Sequence, residues 1–358
     1  PEYRKESNYF FRMGKYQDWL VQYIKDHPDF IRPERYRNEV LAFLRDPLDD
    51  LCISRPKERL IWGITLPFDE NYVTYVWYDA LINYITGLDW PDGEKFRIFW
   101  PYAQHLIAKD ILKPHGIYWS AMLKAAGIEP YRHLNVHGYW NINQGKMSKS
   151  LGNVVNPLAL KDRYGGESFR YFLMREMVFG LDASFNEESF VKRFNSDLAN
   201  DLGNLVSRIM AMAMKYCDGK VPAVPIPSGE DQLLPSAAEK TAAEAEKFFA
   251  EISLHRVLIA TWEFINLVNR YIVKREPWTI AKDPSQKERL EMIIYNLLES
   301  LRIIAVLILP FMPDSAWKIM EQIGIGDIKS QDFNSIRVWG GLPAGNTLKR
   351  ADALFPRV

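Results

Sequence analysis

Cysteine is scarce in this sequence of 358 residues. Its two cysteines, Cys52 and Cys217, are far apart and form no CxxC pair. Two isolated thiols provide neither a disulfide framework nor a zinc knuckle, which fits a reducing, cytoplasmic compartment. The six histidines also lack the spacing of metal ligands. We therefore expect no zinc and no other metal site in this chain.

An excess of charge and a long apolar run are also missing. Lys+Arg and Asp+Glu number 45 each, so no global positive field attracts nucleic acid. Any RNA contact must come from local patches and stacking surfaces. No apolar run reaches membrane-span length, and the charged opening Pro1–Glu6 is not a signal peptide. The opening instead has the character of a chain entered partway through, and we expect no membrane partner.

The composition that remains is that of a soluble globular protein, with 47% hydrophobic and 25% charged residues. The length allows two or three domains, each with its own core. Tryptophan is plentiful at 11 residues. Stacking surfaces for bases or small ligands are therefore available.

The first 160 residues combine helical and extended patterns. Apolar spacing predicts helices over Tyr9–Leu20 and Arg35–Leu44. From about residue 61 strands alternate with helices, which predicts a parallel sheet with ligands at the carboxyl ends of its strands. Asp79 and Asp110 each follow a predicted strand, and His137 is the last residue of another. The predicted elements here are strands Tyr72–Trp77, Phe96–Trp100, His105–Ile107 and Arg132–His137, and the helix Lys109–Ala126.

The remainder of the chain is helical in pattern. Residues 156–190 contain two short helices, the first opened by Asn156 and Pro157, a favourable cap and first turn. Short connections between the later amphipathic segments predict an antiparallel bundle, and we expect the tail Ala353–Val358 to pack on a neighbour. The predicted bundle helices are 190–216, 236–250, 253–275, 284–308 and 313–323.

One short segment, Gly145–Gly152, concentrates groups that suit phosphate. Lys146 and Lys149 place two ammonium groups three residues apart, and hydroxyls alternate with them. Flanking glycines leave backbone N–H groups available to a polyphosphate. A solvated surface turn is the alternative. However, Lys-Met-Ser-Lys-Ser matches the mobile nucleotide loop of class I aminoacyl-tRNA synthetases, which this segment therefore resembles.

Several other segments narrow this resemblance to bacterial-type methionyl-tRNA synthetases. The similarity covers essentially the whole chain, starting inside the connective insertion of that family. It is carried by Asn8–Phe11, Val76–Ala80, His105–Trp119, Val136–Gly138, Glu276–Trp278 and Leu354–Arg357.

The resemblance implies a fold class and a domain order. The fold class is α/β, the second half of a Rossmann-type catalytic domain, followed by an all-α anticodon-binding bundle. The implied domains are the remainder of the connective insertion (1–60), the nucleotide-binding half with the lysine loop (61–155), a linking stem-contact subdomain (156–190) and the anticodon-binding domain (191–358).

The sequence also departs from the family pattern. Ala108 and Pro114 stand where the family usually has glycine and phenylalanine, beside the expected ribose and amino-acid sites. The family's His-x-Gly-His segment occurs nowhere. We therefore interpret the sequence as a C-terminal portion, expected to need the missing N-terminal half for catalysis.

For ATP, the resemblance implies catalytic roles for Lys146 and Lys149, with Lys149 placed on the phosphates. Mg²⁺ would share the phosphate charge. Asp110 is a natural acceptor for ribose hydroxyls, although capping the following helix is an equally good role from sequence alone. The implied ATP-binding residues are Ser148, Lys149, Asp110, His137 and Gly138.

For methionine, the resemblance implies an aromatic pocket, since a thioether packs well against aromatic rings. Plain core packing is the alternative for each aromatic residue and for His115. The implied methionine-binding residues are Trp77, Ala80, Tyr84, Ile111, His115 and Trp119.

For RNA, the predicted helix Phe194–Met214 carries amide and guanidinium groups at i, i+4 and i+8, which would form one stripe. Such groups read base edges, and an exposed tryptophan stacks on unpaired bases. An ordinary solvated face is the alternative. The resemblance assigns the anticodon to Asn204, Arg208 and Trp278, with Asn200 and Pro277 as neighbours.

Together these features predict ATP-dependent ligation of L-methionine to tRNA(Met) through methionyl-adenylate, incomplete in this chain alone. Two alternatives remain open. One is a catalytically inactive tRNA-binding protein derived from a class I synthetase, and the other is a synthetase for another apolar amino acid.

Overall fold

The computed structural model describes residues 6–142, 145–146, 155–223, 232–326 and 331–358, with backbone pairing alone at 145–146. The chain divides into two compact units. The first comprises the described residues up to Tyr139 together with Phe179–Asp182, and the second comprises Trp140–Val178 and Ala183–Val358. Each unit contains its own hydrophobic core.

The first unit contains short strands around one small parallel sheet. In chain order its strands are β1 (Phe10–Phe11), β2 (Ile31–Arg32), β3 (Leu51–Cys52), β4 (Ser54–Pro56), β5 (Thr65–Leu66), β6 (Asp69–Thr74), β7 (Gln104–Ala108) and β8 (His133–His137). Strands β2, β8 and β7 pair in that order and run parallel, whereas β4, β6 and β5 form an antiparallel sheet.

Burial along the parallel sheet follows strand position. On the central strand β8, consecutive residues from His133 to Val136 are buried, as expected for a parallel strand covered on both faces. On the edge strand β7, His105 and Ile107 are buried while Leu106 is 68% exposed. The inward side chains of β7 therefore belong to the core, and Leu106 on the opposite face is left exposed.

Helices of the first unit surround these strands. They are α1 (Gln17–Asp26), α2 (Glu34–Phe43), α3 (Val76–Ala80), α4 (Asn83–Thr86), α5 (Glu94–Phe99) and α6 (Ser120–Ala125), with 3₁₀ turns at Met13–Tyr16, Trp100–Tyr102 and Lys109–Ile111 and a π-helix at Pro114–Trp119. The helix predicted over Arg35–Leu44 and the helical run predicted over Lys109–Ala126 are confirmed.

Three local predictions were wrong. The run Phe96–Trp100 is helical, and the helix places Phe96 and Trp100 at i and i+4, where their rings stack with centroids 5.6 Å apart. The strand predicted over Tyr72–Trp77 ends at Thr74 and lies in the antiparallel sheet, so Asp79 does not follow a strand of the parallel sheet. The helix predicted from Tyr9 begins later, since Phe10 and Phe11 pair with β3.

The second unit opens with a small sheet and three short helices. Strand β9 (Trp140–Ile142) pairs antiparallel with β10 (Gly145–Lys146) and parallel with β11 (Ala183–Phe185). The helices are α7 (Pro157–Tyr164), α8 (Gly166–Glu176) and α9 (Glu187–Arg193). The side chain of Asn156 accepts hydrogen bonds from the backbone N–H groups of Leu158 and Ala159, so the predicted cap is confirmed.

The helical bundle follows the predicted segments closely. Its helices are α10 (Asn204–Tyr216), α11 (Leu233–Ala250), α12 (Leu254–Arg275), α13 (Pro277–Ile280), α14 (Lys287–Ile308) and α15 (Pro313–Gln322), with 3₁₀ turns at Pro284–Gln286 and Asn334–Ile336. Residues Phe194–Gly203 form a π-helix between α9 and α10. Helix α14 is buried on all sides from Ile293 to Ile308 and is therefore the central helix of the bundle.

In the described part of the chain, no helix is both long enough and apolar enough to cross a membrane.

Candidate functional site

Three residues predicted for the amino-acid site contact one another in the first unit. The hydroxyl of Tyr84 on α4 lies 2.9 Å from His115 Nε2, and His115 Nδ1 lies 2.9 Å from the Ile111 carbonyl oxygen. A carbonyl can only accept, so Nδ1 carries the proton and Nε2 accepts from the tyrosine. Trp119 lies on the same π-helix as His115, and the centroid of its ring is 6.2 Å from that of Tyr84. The structure thus brings Tyr84, His115 and Trp119 together.

The cluster continues inward through a histidine that sequence reasoning left out. The Trp119 indole N–H donates to His105 Nε2 at 3.1 Å, and the Tyr131 hydroxyl donates to the His115 carbonyl oxygen at 3.0 Å. Burial, together with the neighbouring His115, lowers the pKa of His105 to about 3. Burial also lowers the pKa of His115 and raises that of Tyr84. At neutral pH the cluster is therefore uncharged, which suits an apolar ligand.

Three further residues were predicted for the methionine site. Trp77 is half-buried and Ala80 exposed, both on α3, while Ile111 is half-buried and supplies the carbonyl that orients His115. Among the described residues, Trp77 forms no ring contact with the cluster. Its assignment to the methionine site stays a prediction.

Three residues predicted for ATP lie at the carboxyl edge of the parallel sheet. The register pairs Ala108 with His137, so β7 and β8 end at the same level. Asp110 follows β7 by two residues and Gly138 directly follows β8. The side chain of Asp110 is exposed and caps no helix by a hydrogen bond to a described residue. It is therefore available to a ligand.

The segment Phe179–Asp182 belongs to the first unit and packs against the residues that follow β8. Asp182 accepts from the Lys109 ammonium at 2.8 Å and from the Tyr139 backbone N–H at 2.9 Å. The hydrogen bond from Lys109 lowers the pKa of Asp182, and the same bond raises that of Lys109. A Cβ at Gly138 would lie 2.2 Å from the Leu181 carbonyl oxygen. The close approach of this segment therefore requires glycine at 138.

The lysine motif lies only partly within the described residues. Lys146 belongs to β10, where its backbone pairs with Asn141. Ser148 and Lys149 lie outside the described residues.

The predicted RNA residues lie in the second unit. Asn204 is exposed and Arg208 half-buried on α10, and neither side chain forms a hydrogen bond or ion pair with another described residue. Asn200 lies one turn earlier in the π-helix, which changes the phase of the predicted i, i+4, i+8 stripe. Its side-chain oxygen accepts from Arg357 Nε and Nη2 at 3.0 and 2.6 Å.

The tryptophan predicted to stack on a base is on the surface. Trp278 is 41% exposed on α13 and follows Pro277, which is buried. Glu276 precedes them in the left-handed conformation with φ of 43° and ends α12. This sharp turn presents the indole to solvent.

Comparison with known proteins identifies the family. Residues 1–210 match the model described as tRNA synthetases class I (M), and residues 221–358 match the anticodon binding domain of methionyl tRNA ligase. The chain belongs to the methionyl-tRNA synthetase family. This establishes the class I catalytic fold followed by a helical anticodon-binding domain.

Individual relatives agree with this assignment. The chain is 44% identical over its full length to a methionine–tRNA ligase from Clostridium perfringens and 46% identical to one from Clostridium tetani. It spans 55% of the length of each of these relatives. It also resembles the crystal structure of the Mycobacterium tuberculosis methionyl-tRNA synthetase bound by methionyl-adenylate, with a TM-score of 0.92 and 39% identity over 99% of this chain and 70% of that one.

Sequence reasoning missed three members of this synthetase-like site: His105, Tyr131 and Asp182. The alternation of His105 with Ile107 on β7 was a usable signal, because it placed the imidazole on the buried face. Asp182 meets Lys109 across 73 positions of sequence, a pairing that no local pattern reveals. No group of three or more His, Cys, Asp or Glu side chains in the described ranges is arranged to hold a metal.

Proposed function

We propose that this chain is part of an enzyme that activates L-methionine with ATP and transfers it to tRNA(Met). The contact of Tyr84, His115 and Trp119 in the unit that contains the parallel sheet is the observation that supports it most directly. An uncharged aromatic pocket matches a thioether side chain, because sulfur is polarizable and packs against rings. The family and its relatives, named as methionine–tRNA ligases, support the same reaction.

The proposed pocket recognises its ligand through its shape and through one series of hydrogen bonds. The Ile111 carbonyl sets the tautomer of His115, and His115 then fixes the Tyr84 hydroxyl. A pocket that fixes its rings in advance loses less side-chain entropy when the ligand binds.

The proposed phosphate chemistry belongs to the lysine motif. When methionine carboxylate attacks the α-phosphorus of ATP, negative charge spreads over the transferring and leaving oxygens. Lys146 and Lys149 would stabilise that charge, and Asp110 would accept from the ribose hydroxyls. Mg²⁺ bound to the triphosphate would share this charge.

The proposed RNA contact belongs to the helical unit. Asn204 and Arg208 lie one turn apart on α10 with side chains unengaged by described residues, and Trp278 exposes its indole. Amide and guanidinium groups recognise base edges, and the indole stacks on an unpaired base. The family's anticodon-binding domain supports this assignment.

We further propose that catalysis needs chain beyond these 358 residues. The edge strand of the parallel sheet exposes an apolar side chain, although parallel sheets are ordinarily covered on both faces. Leu106 on β7 is 68% exposed, and Ile98, Phe99 and Tyr102, which precede it in sequence, are each more than half exposed. The relatives contain further sequence, since this chain spans 55% of their length.

Methionine-dependent exchange of pyrophosphate into ATP tests the function. The complete protein should catalyse exchange with methionine and not with isoleucine or leucine, and the 358-residue chain alone should not. A Lys149→Met variant should lose most of the exchange rate while retaining tRNA binding. Binding of tRNA without exchange by the complete protein would instead indicate an inactive tRNA-binding protein.

A further inference from the structure

His105 lies at the centre of the aromatic cluster but has no assigned role in the proposed reaction. Its side chain is 5% exposed, on the inward face of β7. The ring lies between those of Tyr84 and Tyr131, at centroid distances of 4.0 and 4.1 Å. Packing on two sides therefore fixes the plane of this imidazole.

All three clustered pocket residues lie against His105, and the His115 ring centroid is 6.1 Å from that of His105. Trp119 donates its indole N–H to His105 Nε2 at 3.1 Å, and the Tyr84 ring packs against the imidazole. An indole N–H can only donate, so His105 must keep Nε2 unprotonated and carry any ring proton on Nδ1. The Nε2 lone pair of His105 is therefore the acceptor for the buried Trp119 N–H.

We propose that His105 is a positioning residue for the amino-acid site, whose neutral imidazole fixes the Trp119 indole and the Tyr84 ring in the orientation needed for methionine. This inference rests on the proposed function. His105 acts through Trp119 and Tyr84, and it need not touch the substrate.

The surroundings keep His105 in the required form. The titratable groups that face it are His115 on the π-helix, Tyr84 on α4 and Tyr131, and none of them is an anion at neutral pH. Burial and His115 hold the pKa of His105 at about 3. The Nε2 acceptor is therefore present throughout the physiological pH range.

Two substitutions in the complete protein separate positioning from packing. In His105→Gln the amide oxygen can replace Nε2 as the acceptor, whereas His105→Phe keeps an aromatic ring but leaves the Trp119 N–H unpaired. Loss of a partner for a buried donor predicts a rise of about tenfold in the KM for methionine in His105→Phe. His105→Gln should stay within about threefold of wild type, and the KM for ATP should stay within about twofold in both variants.

The kinetic outcomes distinguish this inference from the proposed function. The inference would be overturned if the KM for methionine rose equally in both variants, or if the KM for ATP rose as much as the KM for methionine. In either case an active wild type would still support the proposed function. A wild-type protein without methionine-dependent exchange would overturn both.

A measurement on the wild type keeps the inference testable should the variants fail to fold. With ¹⁵N-histidine labelling, the His105 resonances should report the Nδ1–H tautomer and stay constant between pH 5.5 and pH 8. Titration in that range, or a proton on Nε2, would overturn it.

Discussion

At the scale of single residues, the candidate site depends on hydrogen-bond direction. The Ile111 carbonyl fixes the proton of His115 on Nδ1, which leaves Nε2 to accept from Tyr84. The Trp119 N–H imposes the same tautomer on His105. Each of these hydrogen bonds has only one possible donor. Removal of one polar atom therefore breaks a hydrogen bond while the volume of the side chain stays nearly constant.

The Tyr84 hydroxyl provides the first prediction. Tyr84→Phe keeps the ring on His105 but removes the donor to His115, and a neutral hydrogen bond is worth about 0.5–1.5 kcal/mol. We expect the KM for methionine in pyrophosphate exchange to rise about two- to tenfold in the complete protein. Tyr216→Phe is the control, since Tyr216 ends α10 in the second unit, whereas the methionine cluster lies in the first. An unchanged KM in Tyr84→Phe would argue that the hydroxyl does not shape the pocket.

At the scale of elements, one buried ion pair attaches the C-terminal segment to the central helix. Glu299 and Arg302, both fully buried on α14, pair at 2.6 Å. The Glu299 carboxylate also accepts from the backbone N–H groups of Gly340, Gly341 and Leu342. Arg302 donates onward to Ser335 and Val338. The network stabilises the fold because each of these buried polar groups has a hydrogen-bond partner in the interior.

Breaking that pair is the second prediction. Glu299→Gln leaves the Arg302 charge buried without a counter-ion, which typically costs about 3–5 kcal/mol. We expect the urea midpoint of the helical unit to fall by a corresponding amount. Glu321→Gln is the control, because Glu321 pairs with Lys349 on the surface, where such pairs contribute about 0–1 kcal/mol. Equal effects of the two substitutions would contradict this account of the network.

The turn between α12 and α13 provides the third prediction. Trp278→Ala should weaken binding of tRNA(Met) by about 1–3 kcal/mol, the worth of one stacked base, and leave pyrophosphate exchange unchanged. Trp317→Ala is a matched control, since Trp317 on α15 is 44% exposed and Trp278 is 41% exposed. The affinities of the two variants for tRNA(Met), measured by filter binding, test the prediction. Loss of affinity shared by both variants would indicate a nonspecific effect of removing a surface indole.

At the scale of the whole molecule, buried neutral histidines link stability to pH. The pKa of His105 is about 3 in the folded protein, against an ordinary value of 6.5. Between these two pH values His105 binds a proton in the unfolded chain but not in the folded one. Its contribution to the free energy of unfolding is therefore full above pH 6.5 and decreases as the pH falls below that value. The lowered pKa of His115 acts in the same direction.

Acid sensitivity of the first unit is the fourth prediction. His105 alone should cost about 1.4 kcal/mol of unfolding free energy for each pH unit below 6.5, or about 2 kcal/mol at pH 5. Urea unfolding of wild type and His105→Gln at pH 7 and pH 5 measures this difference. The variant should lose less stability on acidification. Parallel losses in the two proteins would show that His105 does not titrate on unfolding.

Much of the architecture followed from local pattern. The helices of the bundle, the Asn156 cap and the strand containing His105 were predictable because helical periodicity and capping chemistry act over a few residues. The run Phe96–Trp100 was not, since its β-rich composition competes with an i, i+4 aromatic stack. Neither was the π-helix at Phe194–Gly203, which shifts Asn200 from the expected stripe.

The candidate site divides along the same line. Residue types in sequence order determined the family, the lysine motif and the candidates Tyr84, His115, Trp119 and Trp278. Tertiary structure alone decided which of them touch, that His105 joins Tyr84 to Trp119, that Asp182 reaches Lys109, and that Arg357 occupies the Asn200 oxygen. The physical reason is that periodicity and capping are local, whereas hydrogen-bond partners and burial are set by segments distant in sequence.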